Sequence, residues 1–79
     1  MYTILIVDDE KIERNGMKFL LKREAEEFQI LEASNGREAL GILEKQKADI
    51  LLTDIKMPYM SGLELARQVS EKHPAMKMI

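Results

Sequence analysis

The sequence predicts an α/β fold, a parallel sheet with helices on both faces. Three observations predict it. Apolar runs of strand length alternate with segments of helical period along the chain. Two of those runs end on acids: Ile4-Leu5-Ile6-Val7 leads into Asp8-Asp9-Glu10, and Ile50-Leu51-Leu52-Thr53 leads into Asp54. The second acid is followed at once by a loop punctuated by Pro58 and Gly62. A strand that delivers an acid at its carboxyl end and then breaks suits the rim of an open α/β sheet, where ligands bind.

Thr3 to Val7 reads as a buried strand, apolar on both faces as a central parallel strand should be. Asp8 or Asp9 is placed to cap the helix that follows. Ile12, Gly16, Phe19, Leu20 and Arg23 recur at helical spacing from about Lys11 to Glu24. Gly16 inside that helix costs roughly 1 kcal/mol against alanine, so a close approach of helix to sheet is expected there. Phe28 to Ser34 reads as a second, more exposed strand. Ser34-Asn35-Gly36 is a turn signal that here starts a helix, because Ala39, Leu40, Ile42 and Leu43 follow at helical spacing, about Arg37 to Gln46.

Ala48 to Thr53 is the third strand. Leu63, Ala66, Val69 and Ser70 mark a third helix from about Ser61 to Lys72, ended by His73-Pro74. Lys77-Met78-Ile79 opens a fourth strand. Crossovers in such units are right-handed, and a reversal of winding after the second strand gives the sheet order 2-1-3. The first and third strands are then neighbours, and Asp8, Asp9 and Asp54 converge on the crevice between their carboxyl ends.

Composition narrows the function. A chain of 79 residues is one small domain and buries only ~60% of the surface that its unfolded form exposes. A net charge of −2 leaves no electrostatic footprint for nucleic acid or an anionic membrane. With no cysteine and one histidine, His73, disulfides, thiolate sites and multi-histidine metal sites are excluded. No basic segment precedes a long apolar run, so no signal peptide is expected. No apolar run approaches the ~20 residues that span a bilayer, and a cytoplasmic protein without a membrane partner is the expectation.

Three clustered carboxylates repel, and a hard divalent cation relieves that repulsion. Magnesium fits, since it prefers oxygen ligands and needs only one or two direct carboxylates. A carboxylate beside it can accept a phosphoryl group by in-line attack. Asp54, single and framed by a loop, is the better nucleophile; Asp8 and Asp9 are the better metal holders. The plainer alternative is that Asp8 and Asp9 only cap a helix and Asp54 only forms a turn. Pro58 and Gly62 read as structural, a rigid turn and then a tight helix approach.

Ile4 to Glu10, Glu32-Ala33-Ser34-Asn35-Gly36-Arg37-Glu38-Ala39-Leu40 and Asp54 to Gly62 together resemble the receiver domain of bacterial two-component response regulators. The resemblance covers the whole chain and is most specific from Asp54 to Gly62. It implies a flavodoxin-like three-layer sandwich. It makes Asp54 the phosphoacceptor, served by a sensor histidine kinase. It makes Asp9 a direct magnesium ligand, Asp8 an acid acting through water, and the backbone carbonyl of Lys56 the third protein ligand. The run from Asp8 to Arg14 is similar to receivers that precede an arabinose-regulator-type helix-turn-helix domain, so DNA would be met only through an output domain that is not within these residues.

The resemblance also implies five strands, a Ser or Thr at the end of the fourth and a Lys at the end of the fifth. The 79 residues reach only the opening of the fourth strand. An incomplete receiver with impaired phosphoryl transfer is therefore expected, with the third strand as an exposed edge and association through that edge or through the fourth-strand stub. Two other functions stay open: an interaction module that is never phosphorylated, and a magnesium-dependent hydrolase of the haloacid-dehalogenase manner. The second wants an Asp-x-Asp after the first strand, where this chain has adjacent Asp8-Asp9.

Overall fold

The computed structural model describes residues 2–24, 28–55 and 60–78. Elements follow in the order β1 (Tyr2–Val7), α1 (Lys11–Glu24), β2 (Phe28–Ala33), α2 (Gly36–Lys45), β3 (Ile50–Thr53), α3 (Gly62–Lys72) and β4 (Lys77–Met78). They form one parallel sheet in the order β2-β1-β3-β4. The third strand begins at Ile50, with its apolar run, two residues later than the expected Ala48. The Asp49 carboxylate accepts the Thr3 amide at 2.8 Å.

Side chains alternate across β1. Leu5 and Val7 face one side and pack with Leu51, Ala33, Ala39 and Leu43 of α2, and Leu65 and Val69 of α3. Ile4 and Ile6 are buried on the other side. That is the side of Glu32, the register partner of Ile6, and Glu32 is gripped by Arg14 and Lys18 of α1. The layers are thus α1, sheet, and α2 with α3, a flavodoxin-like sandwich.

The helix starts follow local chemistry. Asn35 caps α2, its side chain accepting the Glu38 amide at 2.8 Å. Glu38 reaches back to the Ser34 amide and hydroxyl at 3.3 and 3.0 Å, a reciprocal arrangement in the manner of a capping box. Ser61 caps α3 in the same way, accepting the Glu64 amide at 3.1 Å. His73 ends α3, its amide bonded to the Val69 carbonyl at 2.7 Å, and Pro74 follows.

Three expectations are corrected. The apolar stripe read on α1 does not meet the sheet: Ile12, Phe19 and Leu20 are 84%, 64% and 59% exposed. The half-buried stripe is Arg14, Met17, Lys18 and Leu21, and its two cations bind Glu32. Gly16 makes no close approach, since an added Cβ there meets no atom within 4 Å among the described residues. The edge of β3 is not open along Ile50 and Leu51, which pair with Lys77 and Met78 of β4.

Candidate acid site at the strand ends

The register brings the acids together. Val7 of β1 stands opposite both Ala33 of β2 and Thr53 of β3, so the carboxyl ends of the three strands are flush. The next backbone amides cross over: Asp8 donates to the Ala33 carbonyl and Asp54 to the Val7 carbonyl, each at 3.1 Å. Asp8 and Asp54 are therefore side by side at the point where the strand order reverses, the usual ligand crevice of such sheets.

The two carboxylates differ in surroundings. Asp8 is only 4% exposed, and one of its oxygens accepts the Glu10 amide at 2.9 Å. This is a local turn bond ahead of α1 rather than a cap within it. Asp54 is exposed, and its Oδ1 accepts the amide of Ile55 at 2.8 Å. Ile55, next after Asp54, is pressed against the start of α3. The Gly62 amide donates to the Ile55 carbonyl at 2.7 Å, and a Cβ at Gly62 would stand 2.8 Å from the Ile55 Cα. Only glycine fits there, as the sequence reading of a tight helix approach requires. Met60 packs against Gly36 at the start of α2.

Among the described residues, carboxylate oxygens of Asp8, Glu13 and Asp54 lie within 4.8 Å of one another. Asp9 is exposed and is not brought into that trio. Lys56, whose carbonyl the resemblance makes a ligand, lies outside the described residues, as do Met57, Pro58 and Tyr59. Glu13 was not foreseen. Its signal is its place in the first turn of α1, the end of the helix that faces the strand termini. A hydrogen bond to Asp8, then the negative charge of Asp8, raise its carboxyl above the ordinary 4.5. A divalent cation would relieve that repulsion, and three carboxylates are a hard-oxygen donor set that suits one.

Two cavities among the described residues lie elsewhere. One of about 300 Å³ is lined by Lys47, Asp49, His73 and Met76, and one of about 400 Å³ by Tyr2, Phe28, Ile50 and Lys77. Both lie at the amino ends of the strands and contain neither Asp8 nor Asp54. No helix among the described residues is long and apolar enough to cross a membrane.

Fold and site together define an α/β domain that gathers acids at its topological switch point. Residues 4–79 match the response regulator receiver domain family, and the chain belongs to that family of two-component regulators. It is 42% identical over 73 residues to the transcriptional regulatory protein YdfI of Bacillus subtilis, covering 92% of this chain and 34% of that protein. It is 39% identical over 80 residues to the transcriptional regulatory protein YesN of the same organism, covering all of this chain and 22% of that one. The chain thus spans about a third or less of these relatives' length.

Among solved structures it is similar to the response regulator TrrA of Thermotoga maritima in complex with Mg2+ and BeF (TM-score 0.91, 38% identity, 99% of this chain and 66% of that chain). It is equally similar to a two-component transcriptional regulator AraC of Clostridium phytofermentans (TM-score 0.90, 38% identity, 99% and 64%). TrrA has also been solved in complex with the histidine kinase ThkA; that match has a TM-score of 0.89 at 38% identity and covers 99% of this chain and 66% of that one.

Proposed function

We propose that this chain is the phosphoacceptor part of a response regulator. Asp54 takes a phosphoryl group from a sensor histidine kinase, with magnesium, and the modified domain controls an output domain that acts on transcription. The observation that carries the reading is the adjacency of Asp8 and Asp54 at flush strand ends, with a third carboxylate within 4.8 Å. That TrrA, a response regulator of similar structure, was solved in complex with Mg2+ and BeF supports it.

The chain's own residues divide the work by exposure. An Asp54 oxygen, accessible from solvent, attacks the phosphorus of the donor's phosphohistidine. An O–P bond forms, the P–N bond breaks, and the imidazole leaves with its electron pair and takes a proton from water. Asp54 is left as an acyl phosphate. Asp8, buried and fixed by the Glu10 amide, and Asp9 beside it in sequence would hold the cation, and the resemblance makes the Lys56 carbonyl a further ligand. Magnesium, when bound, supplies neutralisation of charge on the phosphoryl oxygens. The 79 residues alone are expected to transfer poorly, because the hydroxyl and lysine that the resemblance calls for are not among them. The setting is cytoplasmic, where the kinase and its phosphodonor nucleotide are.

Association of copies through the outer edge of β4 is a further part of the proposal. That edge is two residues long and carries Lys77, a poor template, so association is weak; a monodisperse monomer by light scattering at high concentration overturns it. The test of the main reading is the intact mass of the full-length protein after incubation with magnesium and a small acyl phosphate. A phosphoryl adduct lost in Asp54→Asn supports the reading. No adduct, or an adduct that survives Asp54→Asn, overturns it and favours an interaction module that is never phosphorylated.

A further inference from the structure

We infer that Arg14 is a positioning residue for the acid site: its guanidinium, anchored by Glu32, fixes the Asp8 backbone and so sets where the Asp8 carboxylate meets Asp54. The inference rests on the reading of this pocket as a magnesium and phosphoryl site.

The geometry is a two-pronged clamp. Nη1 of Arg14 donates to the Asp8 carbonyl at 2.5 Å, and Nε donates to Oε1 of Glu32 at 3.1 Å. The other Glu32 oxygen accepts from Lys18 at 2.8 Å, so Glu32 is itself held. The Arg14 side chain is 13% exposed, against 56% for Arg67, the arginine of the other ion-pair group among the described residues. Glu32 is directly followed by Ala33, whose carbonyl takes the Asp8 amide. The Asp8 peptide is therefore tied to the end of β2 twice, by its own N–H to Ala33 and by its C=O through Arg14 to Glu32. With the Glu10 amide on the carboxylate, both the backbone and the side chain of Asp8 are fixed before any ligand arrives.

Arg14 is also a positive charge beside a cluster of acids, and its two roles predict opposite outcomes. If charge alone mattered, removing Arg14 would deepen the negative potential and tighten cation binding. If positioning dominates, removal weakens binding although the site becomes more negative. Partners that orient a metal ligand from outside typically matter by 10–100-fold in affinity. Lysine keeps the charge but not the planar fork, so it cannot replace both prongs.

The experiment is a calorimetric magnesium titration of the full chain as wild type, Arg14→Ala, Arg14→Lys and Glu32→Gln. Amide hydrogen exchange is followed in the metal-free proteins. Arg14→Ala is expected to weaken magnesium about tenfold or more, Arg14→Lys nearly as much, and Glu32→Gln in the same direction. The Asp8 and Glu10 amides should exchange faster in all three, while the Leu5 amide in the core of β1 keeps its protection. Unchanged or tighter binding in a folded Arg14→Ala, or unaltered exchange at Asp8 and Glu10, overturns the inference. If Arg14→Ala fails to fold, the two milder variants decide by the same criteria. Normal wild-type binding with unchanged variants sinks this inference alone. A wild type that takes up no magnesium sinks the proposed function and this inference with it.

Discussion

Gly62→Ala tests the architecture of the acid site most directly. A Cβ at Gly62 would stand 2.8 Å from the Ile55 Cα and 2.9 Å from the Asp54 carbonyl carbon, with the Asp54 carbonyl oxygen closer still. All three atoms are backbone, so no rotamer change relieves the clash. The start of α3 must back away, which stretches the 2.7 Å bond from the Gly62 amide to the Ile55 carbonyl. Forcing a methyl into packed structure costs about 1–3 kcal/mol, and weakening the hydrogen bond adds about 1 kcal/mol. Alanine regains up to about 1 kcal/mol of helix propensity. The net is about 2 kcal/mol of destabilisation, a fall in Tm of about 10 °C for a domain of this size.

Gly16→Ala is the internal control, because it is the same substitution with the opposite expected sign. Gly16 is exposed in mid-helix, and an added Cβ meets no atom within 4 Å among the described residues. Only the propensity gain of about 0.5–1 kcal/mol remains, which raises Tm by about 4 °C. Thermal melts of the three metal-free proteins by far-ultraviolet circular dichroism compare them. A Gly62→Ala protein that melts within about 2 °C of wild type refutes the reasoning, since a backbone clash of that kind cannot be neutral. A Gly16→Ala protein that is destabilised refutes the statement that its helix face is open.

Two further outcomes are expected. Asn35→Ala removes the cap of α2 and the reciprocal bond to Glu38, costing about 1 kcal/mol in chemical denaturation. A midpoint unmoved from wild type would show the cap to be redundant. Glu13→Gln stabilises the metal-free protein at neutral pH. The folded pKa of Glu13 is raised above its unfolded 4.5, so the wild type loses stability as pH rises from 4.5 through the folded value, and glutamine removes that loss. Little difference is expected below pH 4.5. Glu64 has the reverse sign: Arg67 holds its carboxyl down at about 2, so its contribution is present above 4.5 and lost as pH falls from there towards 2. Urea midpoints across pH 3 to 8, an illustrative range of about five units around these values, separate the two. A Glu13→Gln gain that is largest in acid contradicts the assignment.

Much of the site was legible because it is encoded by neighbours in sequence. The period-2 and period-3.6 patterns gave every element between β1 and β4 to within two residues at each end. The acids at the ends of two apolar runs gave Asp8 and Asp54 their places, since parallel strands that end flush can only put such residues side by side. Gly62 could be read for the same reason, as a small residue at a strand–loop–helix junction. What escaped depends on how elements are rotated about their own axes. The apolar residues named on α1 predicted the wrong face: the face turned to the sheet carries Arg14 and Lys18, both paired with one acid of β2, together with Met17 and Leu21. Nothing local in the sequence pairs Arg14 and Lys18 with Glu32, which lies 18 and 14 positions away.

That rotation also decides the site. Turning α1 to set Arg14 against Glu32 points Glu13, its chain neighbour, towards the strand ends, where its carboxylate joins Asp8 and Asp54. Residues adjacent in a helix lie about 100° apart around its axis, so a helix seated on its Ile12 and Phe19 stripe would carry both Glu13 and Arg14 away from their present partners. The charges on α1 therefore do two things with one geometry. The cations meet Glu32 of β2, and the same orientation brings an acid to the rim. The Asp8 peptide lies between these effects, tied to the end of β2 by its amide and to α1 by its carbonyl. A slip of β1 by one residue would undo all of it, because side chains in a strand change face at every step. The same register that buries Ile4 and Ile6 under α1 and Leu5 and Val7 under α2 and α3 is what makes Asp8 and Asp54 neighbours.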